Sequence, residues 1–229
     1  MIFKKMYKII LNILFPVNCL ICHSSNSYLC SNCFKKIKIL NLKHKNNKYL
    51  DNIFIASSYK DSVLKKLIIA FKYKNVESIG VKLGDFLSLY FNGKLTETYL
   101  NNKMEYSILI NSYLTHIPSR SYDNLKRDFC PSEILLKQVS LNCNLKYLSI
   151  LKIRNKRKRQ AGLNKKERIK NIKNSFKIKN IKTIDKIKSK NIIIVDDVIT
   201  TGSTINEAAK TLKEAGVKKV YALILAKNN

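Results

Sequence analysis

Asn191-Ile192-Ile193-Ile194-Val195-Asp196-Asp197-Val198-Ile199-Thr200-Thr201-Gly202-Ser203-Thr204 carries the plan of the chain. Ile192 to Val195 is an unbroken β-branched run, which marks a central strand buried on both faces. Two carboxylates stand at its carboxyl end, where open α/β sheets bind ligands. Four hydroxyl residues then surround a glycine, and a helix follows over Ile205 to Ala215. Ile205, Ala208, Ala209, Leu212 and Ala215 share one face of it, and Gly216 ends it. Val217 to Leu225 reads as the next strand.

The chemistry of this stretch follows from its parts. A turn that opens a helix presents unpaired N–H groups and the positive end of the macrodipole, so it attracts an anion. Gly202 lets the backbone close around a phosphate, and Thr200, Thr201, Ser203 and Thr204 offer hydroxyl donors. Adjacent acids repel a phosphate but accept hydrogen bonds from a vicinal diol, as in a ribose. Asp196 and Asp197 with the turn therefore suit a ribose 5-phosphate. The Gly-x-x-x-x-Gly-Lys-Ser/Thr pattern of a nucleotide P-loop is absent. The bland rival is an Asp-Asp turn with a Ser/Thr cap.

Upstream, strand character over Ile53 to Tyr59 precedes helices over Ser62 to Tyr73 and Val76 to Phe91. Gly93 to Lys103 is a polar break, and Tyr106 to Ile110 and Tyr113 to Ile117 are strand-like. Glu133 to Leu141 is helical, and Tyr147 to Ile153 returns to strand. Alternation of this kind predicts an α/β fold with a mostly parallel, doubly wound sheet.

The front of the chain differs. Cys19-Leu-Ile-Cys22 and Cys30-Ser-Asn-Cys33 form two Cys-x-x-Cys hooks, the spacing that wraps a tetrahedral Zn²⁺ in a small knuckle. A closed Cys₄ shell leaves no open position for water, so the expected role is structural. Disulfides are the rival. His23 is a bystander beside four thiols, and Cys130 and Cys143 read as small buried hydrophobes. Met1 to Phe15 follows the pattern of a short amphipathic packing helix and is too short to span a bilayer. No small-residue cleavage site follows it, so a cytoplasmic location is expected. Asn41 to Asp51 reads as a linker, which places the knuckle at 1–45 and the α/β domain at 46–229.

Lys+Arg number 44 against 15 Asp+Glu, a formal charge of +29. That surplus points to a polyanion partner. Only six cations are Arg and the chain is rich in Asn and Ile, so A/T-rich codon usage is an alternative source. The densest basic stretch is Lys152 to Lys190.

Four apolar residues, two acids, two spacers and Thr-Thr-Gly-Ser-Thr together resemble the phosphoribosyl-pyrophosphate (PRPP) loop of type I phosphoribosyltransferases. The rest narrows the resemblance to the ComF family, bacterial proteins linked to DNA uptake in natural transformation. Phe15-Pro16 leads into the Cys₄ knuckle, and Phe71-Lys72-Tyr73-Lys74 resembles the family's lysine-tyrosine turn. Ile117-Pro118 with Arg127 and Phe129 resembles its Val-Pro…Arg-Gly-Phe-Asn stretch. Gln160-Ala161-Gly162-Leu163…Glu167-Arg168…Asn171…Phe176 resembles its Gln-x-Gly-Leu…Glu-Arg…Asn…Phe stretch. His116, Asp128 and Cys130 depart from the pattern, and Asp128 would partly cancel the charge of Arg127.

The resemblance implies a phosphoribosyltransferase fold in which Asp196 and Asp197 take the ribose hydroxyls and Thr200 to Thr204 the 5-phosphate. Lys72, Ser119, Arg120 and Arg127 become candidate pyrophosphate ligands, with Mg²⁺ bridging ligand oxygens if PRPP binds. Lys156 to Lys170 falls where transferases carry a mobile loop, and a solvated basic loop is the plain alternative. The basic stretch, the knuckle and twelve tyrosines fit single-stranded DNA or a DNA-uptake or recombination partner. An active transferase acting on a nucleobase is the alternative. Against it, only Lys227 to Asn229 follow the last strand, where purine transferases hold their base.

Overall fold

The computed structural model describes residues 17–44, 48–74, 76–119, 129–154 and 174–228. After a short helix α1 (Ser31–Phe34) come β1 (Asn52–Ser58), α2 (Ser62–Tyr73), α3 (Glu77–Asn101), α4 (Lys103–Ile110) and β2 (Tyr113–His116). Then follow α5 (Pro131–Cys143), β3 (Leu151–Ile153), β4 (Phe176–Ile178), α6 (Ile181–Ile187), β5 (Asn191–Ile199), α7 (Ser203–Glu214) and β6 (Lys219–Lys227). The main sheet has the order β1-β6-β5-β2, and every pairing in it is parallel. β3 and β4 form a separate antiparallel pair.

The period-2 geometry of β5 divides the core between two faces. Ile193 and Val195 join Tyr221, Leu223 and Leu225 under α2, α3 and α5. Ile192 and Ile194 point the other way, with Val220, Ala222 and Ile224, against α7 and the β3–β4 pair. All four β5 residues are fully buried, as the β-branched run predicts. Cys19, Leu29, Cys33 and Ile37 belong to the first of these clusters, so the knuckle and the sheet share one core.

Three local expectations are corrected. Tyr106 to Ile110 is not a strand: the Asn102 side chain accepts from the Glu105 amide and starts α4 instead. Gly93 to Lys103 is not a break, since α3 runs through it to Asn101. Thr96, Thr98 and Asn101 each turn a side-chain donor back onto the carbonyl four residues earlier, which leaves the helical ladder intact. Nor is 41–44 a free linker. Leu42 bridges Ile55 of β1, Leu40 donates to the Ala56 carbonyl, and Lys227 Nζ reaches the Lys43 carbonyl. The expectations for Met1 to Phe15, Arg120, Arg127 and Lys156 to Lys170 fall outside the described residues. Among the described residues, no helix is long and apolar enough to cross a membrane.

Candidate functional site

β5 places Asp196 and Asp197 beyond the buried Ile192–Val195 run, toward the carboxyl edge of the sheet, and α7 begins four residues beyond Ile199. Gly202 occupies the cap position of α7 with φ +75° and supplies no side-chain cap; within the turn the Ser203 amide donates to the Thr201 hydroxyl at 3.4 Å, an anion-attracting helix start. Glycine is required here by its left-handed φ; a Cβ would also push the His44 ring aside, whose Nε2 lies 2.7 Å from that position. Thr200 and Thr201 are exposed, and Ser203 and Thr204 are half-buried. The Thr201 and Ser203 hydroxyls lie 2.8 Å apart.

Lys72, at the end of α2, donates to Asp197 Oδ1 at 2.6 Å. The side chains are 20% and 11% exposed, so the pair is largely removed from water. Burial opposes the Lys72 charge, but the charge of Asp197 and its hydrogen bond outweigh it and raise the ammonium pKa. Asp196 has no such partner. Burial, and then the neighbouring Asp197 charge, push its carboxyl up to about 8, with Lys72 only partly offsetting them. The two acids thus sit in different environments: Asp197 is paired with Lys72, and Asp196 is protonated at neutral pH. Two acids with environments this different are a signature of functional sites.

Sequence reading had no signal for His44. A lone histidine in a Lys/Asn-rich segment reaches the turn only because residues 40–42 lie along β1. It is half-buried and within hydrogen-bonding reach of the Thr201 backbone, and burial lowers its pKa.

Residues 132–229 match the phosphoribosyl transferase domain. That span holds β5, the Asp-Asp pair, the turn and α7, and it excludes Lys72, Ser119 and the cysteine hooks. The C-terminal part of the chain is therefore a phosphoribosyltransferase-type α/β unit, as the β5–turn–α7 reading predicts. Among solved structures, that of the allosteric regulatory enzyme of purine biosynthesis is similar at 17% identity and a TM-score of 0.33. The likeness covers 50% of this chain and 22% of that one, so this chain spans about a fifth of its length. No curated protein matches the sequence.

At the other end, the Cys19, Cys22, Cys30 and Cys33 sulfurs all lie within 4.8 Å of one another and can hold a metal ion. Each hook is closed by a turn, with His23 N donating to the Cys19 carbonyl and Phe34 N to that of Cys30. His23 takes a left-handed φ of 62°, is exposed and stands outside the cluster.

Proposed function

We propose that the Asp196–Thr204 turn binds the ribose 5-phosphate of PRPP. The observation that carries this reading is the junction itself: paired acids at the end of a central strand, followed by an uncapped helix start on a left-handed glycine. Asp196 and Asp197 accept from the ribose hydroxyls, and the amides and hydroxyls of Thr200 to Thr204 take the phosphate. Lys72 holds Asp197 in place and adds positive charge on the pyrophosphate side, with Ser119, Arg120 and Arg127 as further pyrophosphate ligands. Carboxylate and ligand oxygens suit Mg²⁺, which would travel with PRPP and neutralise the pyrophosphate. The cysteine hooks hold structural Zn²⁺, the ion that a thiolate set of this spacing favours, in a knuckle at 1–45 beside an α/β domain at 46–229.

Calorimetry with PRPP and Mg²⁺ tests the site. Because Asp196 accepts better as a carboxylate, affinity rises as pH passes upward through about 8. Replacing both acids (Asp196→Asn, Asp197→Asn) removes charge-assisted hydrogen bonds of about 1.5–3 kcal/mol each. The dissociation constant then rises at least about a hundredfold, and the pH dependence disappears. Equal affinity in wild type and variant refutes the assignment. Release of pyrophosphate on adding a nucleobase would favour the transferase reading over binding alone.

The wider role we infer is that of a ComF-like protein in the cytoplasm that assists import or processing of single-stranded DNA. Support comes from the sequence pattern and from a run of exposed lysines. Lys152, Lys177, Lys179, Lys182, Lys186, Lys188 and Lys190 all lie exposed on β3, β4, α6 and their flanks. Retention of single-stranded DNA should fall steeply with salt, at a log–log slope of about −0.7 per phosphate contact. Retention that is flat across salt removes nucleic acid from the proposal.

A further inference from the structure

A second cluster of metal-ligating side chains lies outside both sites. His116 is the last residue of β2, Cys130 caps the start of α5, and Glu133 sits one turn further on the same helix. One ligand atom from each lies within 4.8 Å of the others. Two elements of the fold thus bring three donors together, which is the starting point of a ligand site.

One observation beyond proximity points to an occupant. His116 is only 7% exposed, yet its Nδ1 is buried with no hydrogen-bond partner. A buried polar nitrogen left this way is costly, and a ligand would offset that cost. Cys130 is half-buried, with Ser132 Oγ at 3.3 Å and the Ile117 carbonyl at 3.9 Å as its weak sulfur contacts.

We propose that His116, Cys130 and Glu133 form a binding site for Zn²⁺ or a divalent transition ion like it. A thiolate in the set disfavours Mg²⁺ and Ca²⁺, whereas mixed nitrogen, sulfur and oxygen donors suit zinc. One thiolate and one carboxylate balance the 2+ charge, and the thiol proton is released on binding. Ligand atoms on a tetrahedral ion stand about 3.3–3.8 Å apart, so small side-chain rotations close the triangle. Three protein ligands leave a fourth position for water or an anionic oxygen. β2 pairs with β5 so that His116 lies opposite Val195, one residue before Asp196. The site thus shares the carboxyl edge of the sheet with the acid pair, and it ties together the two ends of residues 117–129.

The full chain is loaded with Zn²⁺, dialysed and analysed for zinc per protein. His116→Gln, Cys130→Ala and Glu133→Gln should each hold one equivalent less than wild type, the remainder staying on the knuckle thiols. A second readout uses wild type alone: Zn²⁺ slows alkylation of Cys130 by iodoacetamide, followed by peptide mass spectrometry, while Cys143 alkylates at an unchanged rate. Unchanged zinc content in folded variants overturns the proposal. So does a Cys130 alkylation rate indifferent to Zn²⁺, which decides the matter even if the variants fail to fold. PRPP plays no part in either measurement, so the ribose-phosphate reading stands or falls separately.

Discussion

Lys72→Met should destabilise the protein by about 2–4 kcal/mol at pH 8 and by much less at pH 5. Breaking a buried pair strands the surviving charge, and that penalty exceeds what the intact pair contributes. Asp197 is 8% exposed and would lose its 2.6 Å partner. Asp196 would at the same time lose the one nearby charge that restrains its rise toward 8. The pH dependence then has a definite sign. With Lys72 gone, folded Asp196 keeps a proton that the unfolded carboxylate releases near pH 4. Between those limits the native state binds more protons, so stability falls as pH rises. Near pH 5 folded Asp196 is neutral in both proteins, so the missing ammonium strands less charge. Urea melts of both proteins at the two pH values check this. A loss equal at both would mean that Lys72 acts through the packing of its methylene stem, and the electrostatic account would fail.

Stripping metal from the four-cysteine cluster should lower the global melting midpoint by roughly 10–20 °C. Small zinc sites commonly supply their whole binding free energy to folding. A loss of only about 5 kcal/mol, at about 2–4 °C per kcal/mol for a chain of this size, gives that range. The effect is global because the hooks are not an appendage. Cys19 and Cys33 are 0% and 1% exposed, and Leu29 and Ile37 pack in the same cluster as Phe86, Leu87 and the sheet residues. Phe34 also meets Phe86 edge-on at 6.4 Å. Calorimetric scans before and after a strong chelator provide the measurement, with Cys33→Ser as a genetic counterpart. A midpoint that stays put while metal leaves would show that the hooks fold independently of the core.

How far these features could be read in advance depended on whether their causes were local. The β5–turn–α7 unit was legible because each part has its own signal: a β-branched run, paired acids, a glycine at a left-handed turn and an apolar helical face. The cysteine hooks were legible for the same reason, since ligand spacing is itself a sequence property. Tyr106 to Ile110 misled because Ser107-Ile108-Leu109-Ile110 carries strand-like residues, while the Asn102 cap that makes it helical lies outside the run. The strand β4 and helix α6 were missed among alternating Lys and Ile, where charge hid the short apolar period of Phe176, Ile178 and Ile187. Long-range contacts left no trace at all. Lys72 and Asp197 are separated by 125 positions, and Lys72 was singled out only as an anion ligand. His44 reaches Gly202 solely through the path of the chain beside β1, and His116 meets Cys130 and Glu133 only once β2 and α5 are docked.

Both flanks of the parallel sheet are blunted by short runs of irregular chain. Leu40 and Leu42 occupy the outer side of β1, and Lys146 to Leu148 exchange hydrogen bonds with Leu114 on the outer side of β2. An uncovered parallel strand would offer its free amides and carbonyls to any extended polypeptide, including another molecule of the same kind. Half of this protection hangs from the cysteine hooks, since residues 38–42 follow directly on the segment they anchor. Demetallation would therefore expose β1, whose Phe54, Ile55 and Ala56 are otherwise hidden, so an ion held by the hooks would guard against self-association as well as against unfolding.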